Sequence, residues 1–123
     1  MREAGAVIDK HLVPIHWHLP QDRQTSILPD SRTLWEVIWE HRDVVLGFAH
    51  THPGSGPCGP SSMDTSTFAA IEAGLGRRLT WWIVNEDNIT AWAMFPGEGY
   101  APIKLDGWLR LLWVHHLREL SNY

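Results

Sequence analysis

The stretch VVLGFAHTHP, residues 44–53, is the most informative part of this sequence. Its first six residues, 44–49, are apolar and lack a helical period, which predicts a buried strand. The strand leads into His50 and His52 and then into a Gly-, Pro- and Ser-rich segment, GSGPCGPSS. A loop that leaves a buried strand and opens a helix is exposed yet held by the scaffold, so we expect the functional site here.

Further helices and strands are predicted on both sides of this stretch. Asp30 and Ser31 are N-cap residues at the start of one amphipathic segment, and Asp64 or Thr65 is expected to cap the next. The last amphipathic segment lies near the C-terminus. The predicted helices cover 31–42, 65–75 and 105–120.

Apolar runs rich in β-branched and aromatic residues predict the strands. Residues 6–20 form one strand or two short ones, and Pro14 favours an edge position or a break there. The runs 79–84 and 89–95 flank the polar residues 85–88 and predict a hairpin. The resulting order, β–α–β–α–β–β–α, indicates an α/β domain with helices packed on a mixed sheet.

Length and composition restrict the class of protein. The 123 residues, 14.1 kDa, suit one domain over 1–123, with 44% apolar and 20% charged residues. No apolar run reaches the ~18 residues of a membrane span, and no export signal is visible. A net charge of −4 argues against a nucleic-acid partner, and the single Cys58 excludes an internal disulfide. We therefore expect a cytoplasmic protein that binds neither membrane nor nucleic acid.

Two imidazoles and a carboxylate have the spacing of a metal site. His50 and His52 are two apart at a strand's end and project to the same side, and Asp64 follows twelve residues after His52. Two His and one carboxylate leave a fourth tetrahedral position for water, as in catalytic zinc sites. A second His-x-His, at 16–18, also has a carboxylate twelve residues on, at Asp30, but lacks a preceding apolar strand. We therefore place the metal at His50, His52 and Asp64.

With these residues in view, the chain resembles the JAB/MPN (JAMM) zinc metalloproteases. That family is marked by an upstream Glu, a strand entering His-[Ser/Thr]-His-Pro, and a later Ser-x-x-Asp. Here the strand enters HTHP at 50–53, and SSMD follows at 61–64, with a connecting loop one residue longer than is usual in the family. The resemblance covers most of the chain. It implies a cytidine-deaminase-like/MPN-type three-layer arrangement, with a mixed sheet flanked by helices.

The resemblance also implies a role for each site residue. His50, His52 and Asp64 would hold Zn²⁺, with water as the fourth ligand. Glu3 would accept that water's proton and pass it to the leaving amine. Ser61 would hydrogen-bond the tetrahedral oxyanion, although a Ser at this place can instead simply cap the following helix.

Glu3 is chosen among three glutamates. It lies 47 residues before His50, and Glu3-Ala-Gly5 resembles the family's Glu-x-x-Gly strand with the Gly one place early. Glu36 and Glu40 are rivals on a helix that, in the family, packs away from the metal. Placing Glu3 leaves only two residues ahead of it, where the family usually has a helix and a strand.

Function follows from the resemblance as an expectation. Many relatives cleave after the C-terminal Gly of a ubiquitin-like protein, which implies an extended Gly-ending tail laid along a sheet edge. The main alternative is a non-catalytic MPN-like scaffold or interaction module. A third is an unrelated zinc hydrolase, but deaminase and metallo-β-lactamase motifs need Cys pairs or a longer His-Asp motif that this chain lacks.

The eight Trp residues suggest either a Trp-heavy core or an interface. Trp81, Trp82 and Trp92 lie in the predicted hairpin, where strand alternation should turn at least one outward. Exposed aromatic side chains mark interfaces, so a homodimer or substrate surface built from Trp is one of the two expectations. His16 and His18 are expected either to be ordinary strand residues or to line the substrate groove.

Overall fold

A six-stranded mixed sheet forms the centre of the protein in a computed structural model that describes residues 1–104 and 111–123. The strand order is β2-β1-β3-β4-β5-β6; β3 and β4 are parallel and the other neighbours are antiparallel. Over the described residues the elements are β1 (Gly5–Asp9), β2 (Pro14–His18), α1 (Arg32–Glu40), β3 (Val45–Thr51), α2 (Ser62–Leu75), β4 (Thr80–Val84), β5 (Ile89–Phe95), β6 (Gly99–Ile103) and α3 (Leu112–Ser121). The predicted α/β class with a mixed sheet is confirmed. None of the described helices has the length and apolar character needed to cross a membrane.

Both faces of the sheet are covered, because successive strand residues alternate between two cores. Val7, Phe48 and Trp81 pack with α1 and α2 on one face. Ala49 and Trp82 pack with α3 on the other. The protein therefore has a helical layer on each side of the sheet. His50 lies two residues after Phe48 on the same strand, so it faces the α1/α2 side as Phe48 does.

The helix starts are set by serine caps. The Ser31 side chain accepts a hydrogen bond from the Leu34 backbone N–H, as predicted for the first helix. For α2 the cap is Ser61, so the predicted caps Asp64 and Thr65 are wrong. The reason is a capping box: the Ser61 hydroxyl accepts from the Asp64 backbone, and the Asp64 carboxylate accepts from the Ser61 backbone.

The sequence did not predict one strand, β6, and did not decide whether residues 6–20 form one strand or two. Residues 6–20 form two strands, and Pro14 begins the edge strand β2, where its missing N–H costs nothing. The strand β6 was not predicted, because its sequence, GYAPI, contains Gly and Pro and has no clear alternation. The part of the predicted C-terminal helix over 105–110 lies outside the described residues, and α3 begins at Leu112.

The prediction that a hairpin Trp faces outward is wrong. Trp81 and Trp82 point to opposite faces and are both buried, since both faces carry helices, and Trp92 is half-buried. Trp108 lies outside the described residues. Among the Trp residues that the structure describes, only Trp39 is exposed, with the Arg42 guanidinium 4.3 Å from its ring centre. The expected homodimer stays a prediction, but these residues give it no Trp-rich surface.

Gly47 permits the close approach of β3 and β4. A Cβ at this position would overlap the backbone carbonyl oxygen of Thr80. The parallel pairing places His50 opposite Ile83, at the carboxyl end of β3. In α/β sheets this is the end at which ligands bind, which agrees with the position expected for the site.

Candidate metal centre

The two imidazoles of the HTH segment converge, as predicted. His50 is the penultimate residue of β3, and His52 follows the strand's end. Their Nε2 atoms lie 2.9 Å apart. The His50 side chain is buried, and the His52 side chain is half-buried. Strand alternation therefore brings both ring nitrogens to one point on the α1/α2 side of the sheet.

Asp64 reaches the same point from the first turn of α2. One carboxylate oxygen lies 3.4 Å from His50 Nε2, and the other lies 3.0 Å from His52 Nε2. The carboxylate is also fixed by the Ser61 backbone N–H, which donates to Oδ2 at 2.9 Å. The capping box that starts the helix thus also orients the carboxylate.

The loop between the imidazoles and Asp64 is tied to the turn between β4 and β5. The Asn85 side-chain amide donates to the Gly56 carbonyl at 2.8 Å, and the Gly56 N–H donates to Asp87 at 2.7 Å. The Glu86 N–H donates to the Gly54 carbonyl at 3.2 Å. These bonds hold the Gly- and Pro-rich loop in one return path to α2.

Glu3 is buried at the same centre. Its side chain is only 5% exposed, and a carboxylate oxygen lies within 4.8 Å of the ligand nitrogens of His50 and His52. These three side chains could hold a metal ion, and they form the one such group found among residues 1–104 and 111–123. Asp64 extends the group because its oxygens contact both imidazoles.

The first residues of the chain are held in place by backbone hydrogen bonds. The Glu3 N–H donates to the Gln24 carbonyl at 2.8 Å, and the Arg2 N–H donates to the Ser121 carbonyl at 3.0 Å. Glu3 lies two residues before β1, so the strand direction carries it to the imidazoles. The rival glutamates, Glu36 and Glu40, are exposed on α1. Of the three candidates, Glu3 is the one that the fold brings to the centre.

The charges of the cluster depend on burial and on mutual contacts. Burial raises the pKa of Glu3 to about 7, with a further rise from the Asp64 charge, although His52 opposes it. Burial alone would also raise the pKa of Asp64, but hydrogen bonds from His50 and His52 outweigh it and hold this pKa well below its usual range. Burial lowers the pKa of His50. For His52 burial is outweighed by Asp64 and Glu3, and its pKa is raised.

Ser61 lies at the cavity wall with the four other predicted site residues. Its hydroxyl oxygen accepts the Asp64 N–H at 3.1 Å, so the capping role that the sequence allowed is real. A hydroxyl that accepts one bond still has its own hydrogen to donate. Capping the helix and donating to a bound group are therefore compatible.

The cluster opens into a cavity of about 550 Å³. Sequence reasoning missed most of its wall: Ile27 and Leu28 lie before α1 in a segment without periodicity, and the face that Phe48 presents from β3 depends on long-range packing. His18 also lies at this wall, buried and hydrogen-bonded to the Pro29 carbonyl; that the wall belongs to a substrate groove stays a prediction. Of the two His-x-His segments, the one at 50–52 converges with a carboxylate, that of Asp64, as expected.

No known family model matches the chain, and no curated protein matches it.

Proposed function

We propose that this protein is a zinc-dependent peptidase or isopeptidase. The observation that carries the proposal is the convergence of two imidazole nitrogens and two carboxylates, all buried or half-buried, at the mouth of one cavity. Such a cluster of donor atoms is costly in a folded protein unless a proton or a cation is shared among them. The JAB/MPN resemblance and the α/β fold with helices on both sheet faces support the same assignment.

The donor set fits zinc. Three atoms bound to a tetrahedral zinc at ~2.0–2.1 Å lie about 3.3–3.4 Å apart. The His50 and His52 Nε2 atoms lie 2.9 Å apart, Asp64 Oδ1 lies 3.4 Å from the first and Asp64 Oδ2 lies 3.0 Å from the second, so the donor atoms are close to the separations that zinc requires. When bound there, Zn²⁺ supplies a Lewis acid that lowers the pKa of a water in the open position and polarises a scissile carbonyl.

Glu3 is the proposed general base. It is close enough to the two imidazoles to share their ligand sphere, and its place at the end of an anchored backbone restricts its motion. In this role its carboxylate accepts a proton from the attacking water and returns it to the leaving amine. Asp64, which contacts both imidazoles directly, is the proposed third ligand.

Ser61 is the proposed oxyanion partner. Its oxygen is fixed by the Asp64 N–H, so its hydroxyl hydrogen can be directed at a bound group without a large loss of side-chain freedom. A donor held in place before the reaction stabilises a developing oxyanion better than a mobile one.

The proposed substrate is the Gly-ending tail of a ubiquitin-like protein or its conjugate, in the cytoplasm. The support is the family resemblance together with the position of β2, which is the outer strand on the side of the sheet nearest the cluster. An extended tail can add to such an edge through backbone hydrogen bonds. The cytidine-deaminase-like/MPN-type arrangement is part of the same proposal.

The test is cleavage of a ubiquitin-like protein joined through its terminal Gly to a reporter. Glu3→Gln should lower the rate by about 10²-fold or more while zinc stays bound, because the ligands are untouched. Glu40→Gln is the matched control, on the exposed side of α1, and should cleave like the wild type. Undiminished cleavage by Glu3→Gln would remove Glu3 from the mechanism. A zinc-loaded wild type that cleaves nothing would favour the scaffold alternative.

A further inference from the structure

The cavity extends from the candidate metal centre into an apolar space beneath α1 and α2. Its inner wall is made by Leu34 and Ile38 from α1, Phe68 and Ile71 from α2, and Phe48 from β3. The whole cavity, from the metal centre to this inner wall, measures about 550 Å³, which falls in the range of small-molecule sites.

The apolar wall begins directly beside the imidazoles. The Phe48 ring is stacked with the His50 ring at 6.4 Å between centres, and the Phe68 ring meets His50 edge-on at 6.1 Å. These two rings therefore border the metal centre on its inner side. A ligand that extends inward from the metal centre therefore enters a space lined by aromatic and aliphatic side chains.

Two apolar side chains stand at the mouth of the cavity. Ile27 is 45% exposed and precedes α1, and Met63 is 73% exposed at the start of α2. Each is large and unshielded, although single exposed apolar residues are common. Here they continue the wall of the cavity outward, so a ligand that enters can bury its own apolar surface against them.

We propose that this space is a specificity pocket that binds a bulky apolar side chain of the substrate, aromatic or branched aliphatic, beside the scissile bond. The inference rests on the proposed function, since it assumes that the scissile bond lies at the metal centre. A terminal Gly has no side chain, so the apolar group belongs to a substrate residue next to that Gly, on either side of it. Burial of such a side chain should raise affinity about tenfold or more.

The test compares two zinc-binding probes that differ by one phenyl group. Acetohydroxamate and phenylacetohydroxamate are titrated into the zinc-loaded protein, which is labelled with ¹³C at its methionine methyl groups. The chain has three methionines, of which Met63 lines the pocket and Met94 lies on β5 as an internal control. We expect phenylacetohydroxamate to bind about tenfold tighter or more, and to shift the Met63 signal but not the Met94 signal.

A matched pair of variants assigns the gain to the pocket. Ile27→Ser removes an exposed apolar contact at the mouth, and Val13→Ser removes a similarly exposed aliphatic side chain that does not line the cavity. Ile27→Ser should weaken phenylacetohydroxamate about threefold or more and leave acetohydroxamate unchanged, which also shows that the metal centre is intact. Val13→Ser should match the wild type with both probes.

The outcomes separate this inference from the function on which it rests. Equal affinity for the two hydroxamates in a zinc-loaded protein would overturn the pocket and leave the proposed hydrolase standing. A protein that takes up no zinc would overturn both. A gain from the phenyl group that Ile27→Ser does not reduce, with no Met63 shift, would also contradict the pocket.

Discussion

The Thr51 hydroxyl accepts the backbone N–H of Ala4 at 2.8 Å, which ties the residue between the two candidate ligand imidazoles to the neighbour of Glu3. The Thr51 and Ser121 hydroxyls lie 2.8 Å apart, and Ser121 donates to the Leu117 carbonyl at 2.9 Å. Thr51 faces α3, opposite to His50. A chain of hydrogen bonds therefore runs from α3 through the sheet to the segment that positions Glu3.

Replacing Thr51 with Val tests this chain. The substitution leaves the Ala4 N–H unpaired in a fully buried place, so the free energy of unfolding should fall by about 1–3 kcal/mol. Because the segment that carries Glu3 loses one of its anchoring hydrogen bonds while the imidazoles keep theirs, the cleavage rate should fall and zinc should still bind. Urea denaturation, the cleavage assay and metal analysis measure the three effects. Thr33→Val, at an exposed site on α1, is the control, and equal behaviour of the two variants would contradict the account.

Glu72 is a second buried centre, with a structural role. Its carboxylate accepts the Leu79 N–H at 2.8 Å and the Trp81 indole N–H at 3.0 Å, and it also accepts from Arg78 and Tyr100. Glu72→Gln puts an N–H₂ group among these donors, so we expect a loss of about 2–3 kcal/mol in unfolding free energy. Glu98→Gln, in an exposed turn, should lose almost nothing. A stable Glu72→Gln protein in urea denaturation would rule out this role.

Two glycines give predictions of opposite sign. Gly47→Ala forces a methyl group against the Thr80 carbonyl and should destabilise the protein by about 1–3 kcal/mol. Gly74→Ala lies inside α2, where the added methyl would meet only an ordinary contact with Trp35 at 3.9 Å. It should stabilise the protein by about 0.5–1 kcal/mol, since Ala is the better helix residue. Thermal unfolding of both variants checks the two signs, and a stabilising Gly47→Ala would contradict the β3–β4 packing.

Cys58 should react slowly with alkylating reagents. Burial raises the pKa of its thiol, and the side chain donates to the Ile83 carbonyl at 3.5 Å. A raised pKa keeps the thiol protonated at pH 8, and only the thiolate reacts. The rate with iodoacetamide should lie below that of free cysteine and rise roughly tenfold per pH unit below the pKa. Alkylation in the native state as fast as in 8 M urea would show that the thiol is exposed.

The convergence of the candidate metal ligands was predictable because its geometry depends on local rules. Residues two apart in extended backbone share a face, and His52 directly continues β3, so His50 and His52 point to the same side. To predict that Asp64 joins the imidazoles, it was enough to assume that the loop after His52 turns back toward the end of β3. The start of α2 was misjudged because Ser61, Asp64 and Thr65 are all good caps, and the choice depends on a reciprocal pair of hydrogen bonds.

Long-range contacts explain what the sequence did not predict. The pocket wall at Ile27 and Leu28 comes from a segment without periodicity, whose place depends on packing against distant elements. Glu72 lies in a predicted helix, where a glutamate is ordinarily solvated, and its burial follows from donors on β4 and β6. Trp81 and Trp82 could not be assigned because sheet alternation alone does not show that helices cover both faces.

The zinc content of the purified, untagged protein tests the central claim most directly. The measurement is inductively coupled plasma mass spectrometry on protein prepared without chelators, next to His52→Ala and to His11→Ala, an exposed histidine outside the cluster. The account predicts about one zinc per chain in the wild type and in His11→Ala, and almost none in His52→Ala. A wild type without zinc, or a His52→Ala protein that keeps as much as the wild type, would contradict it.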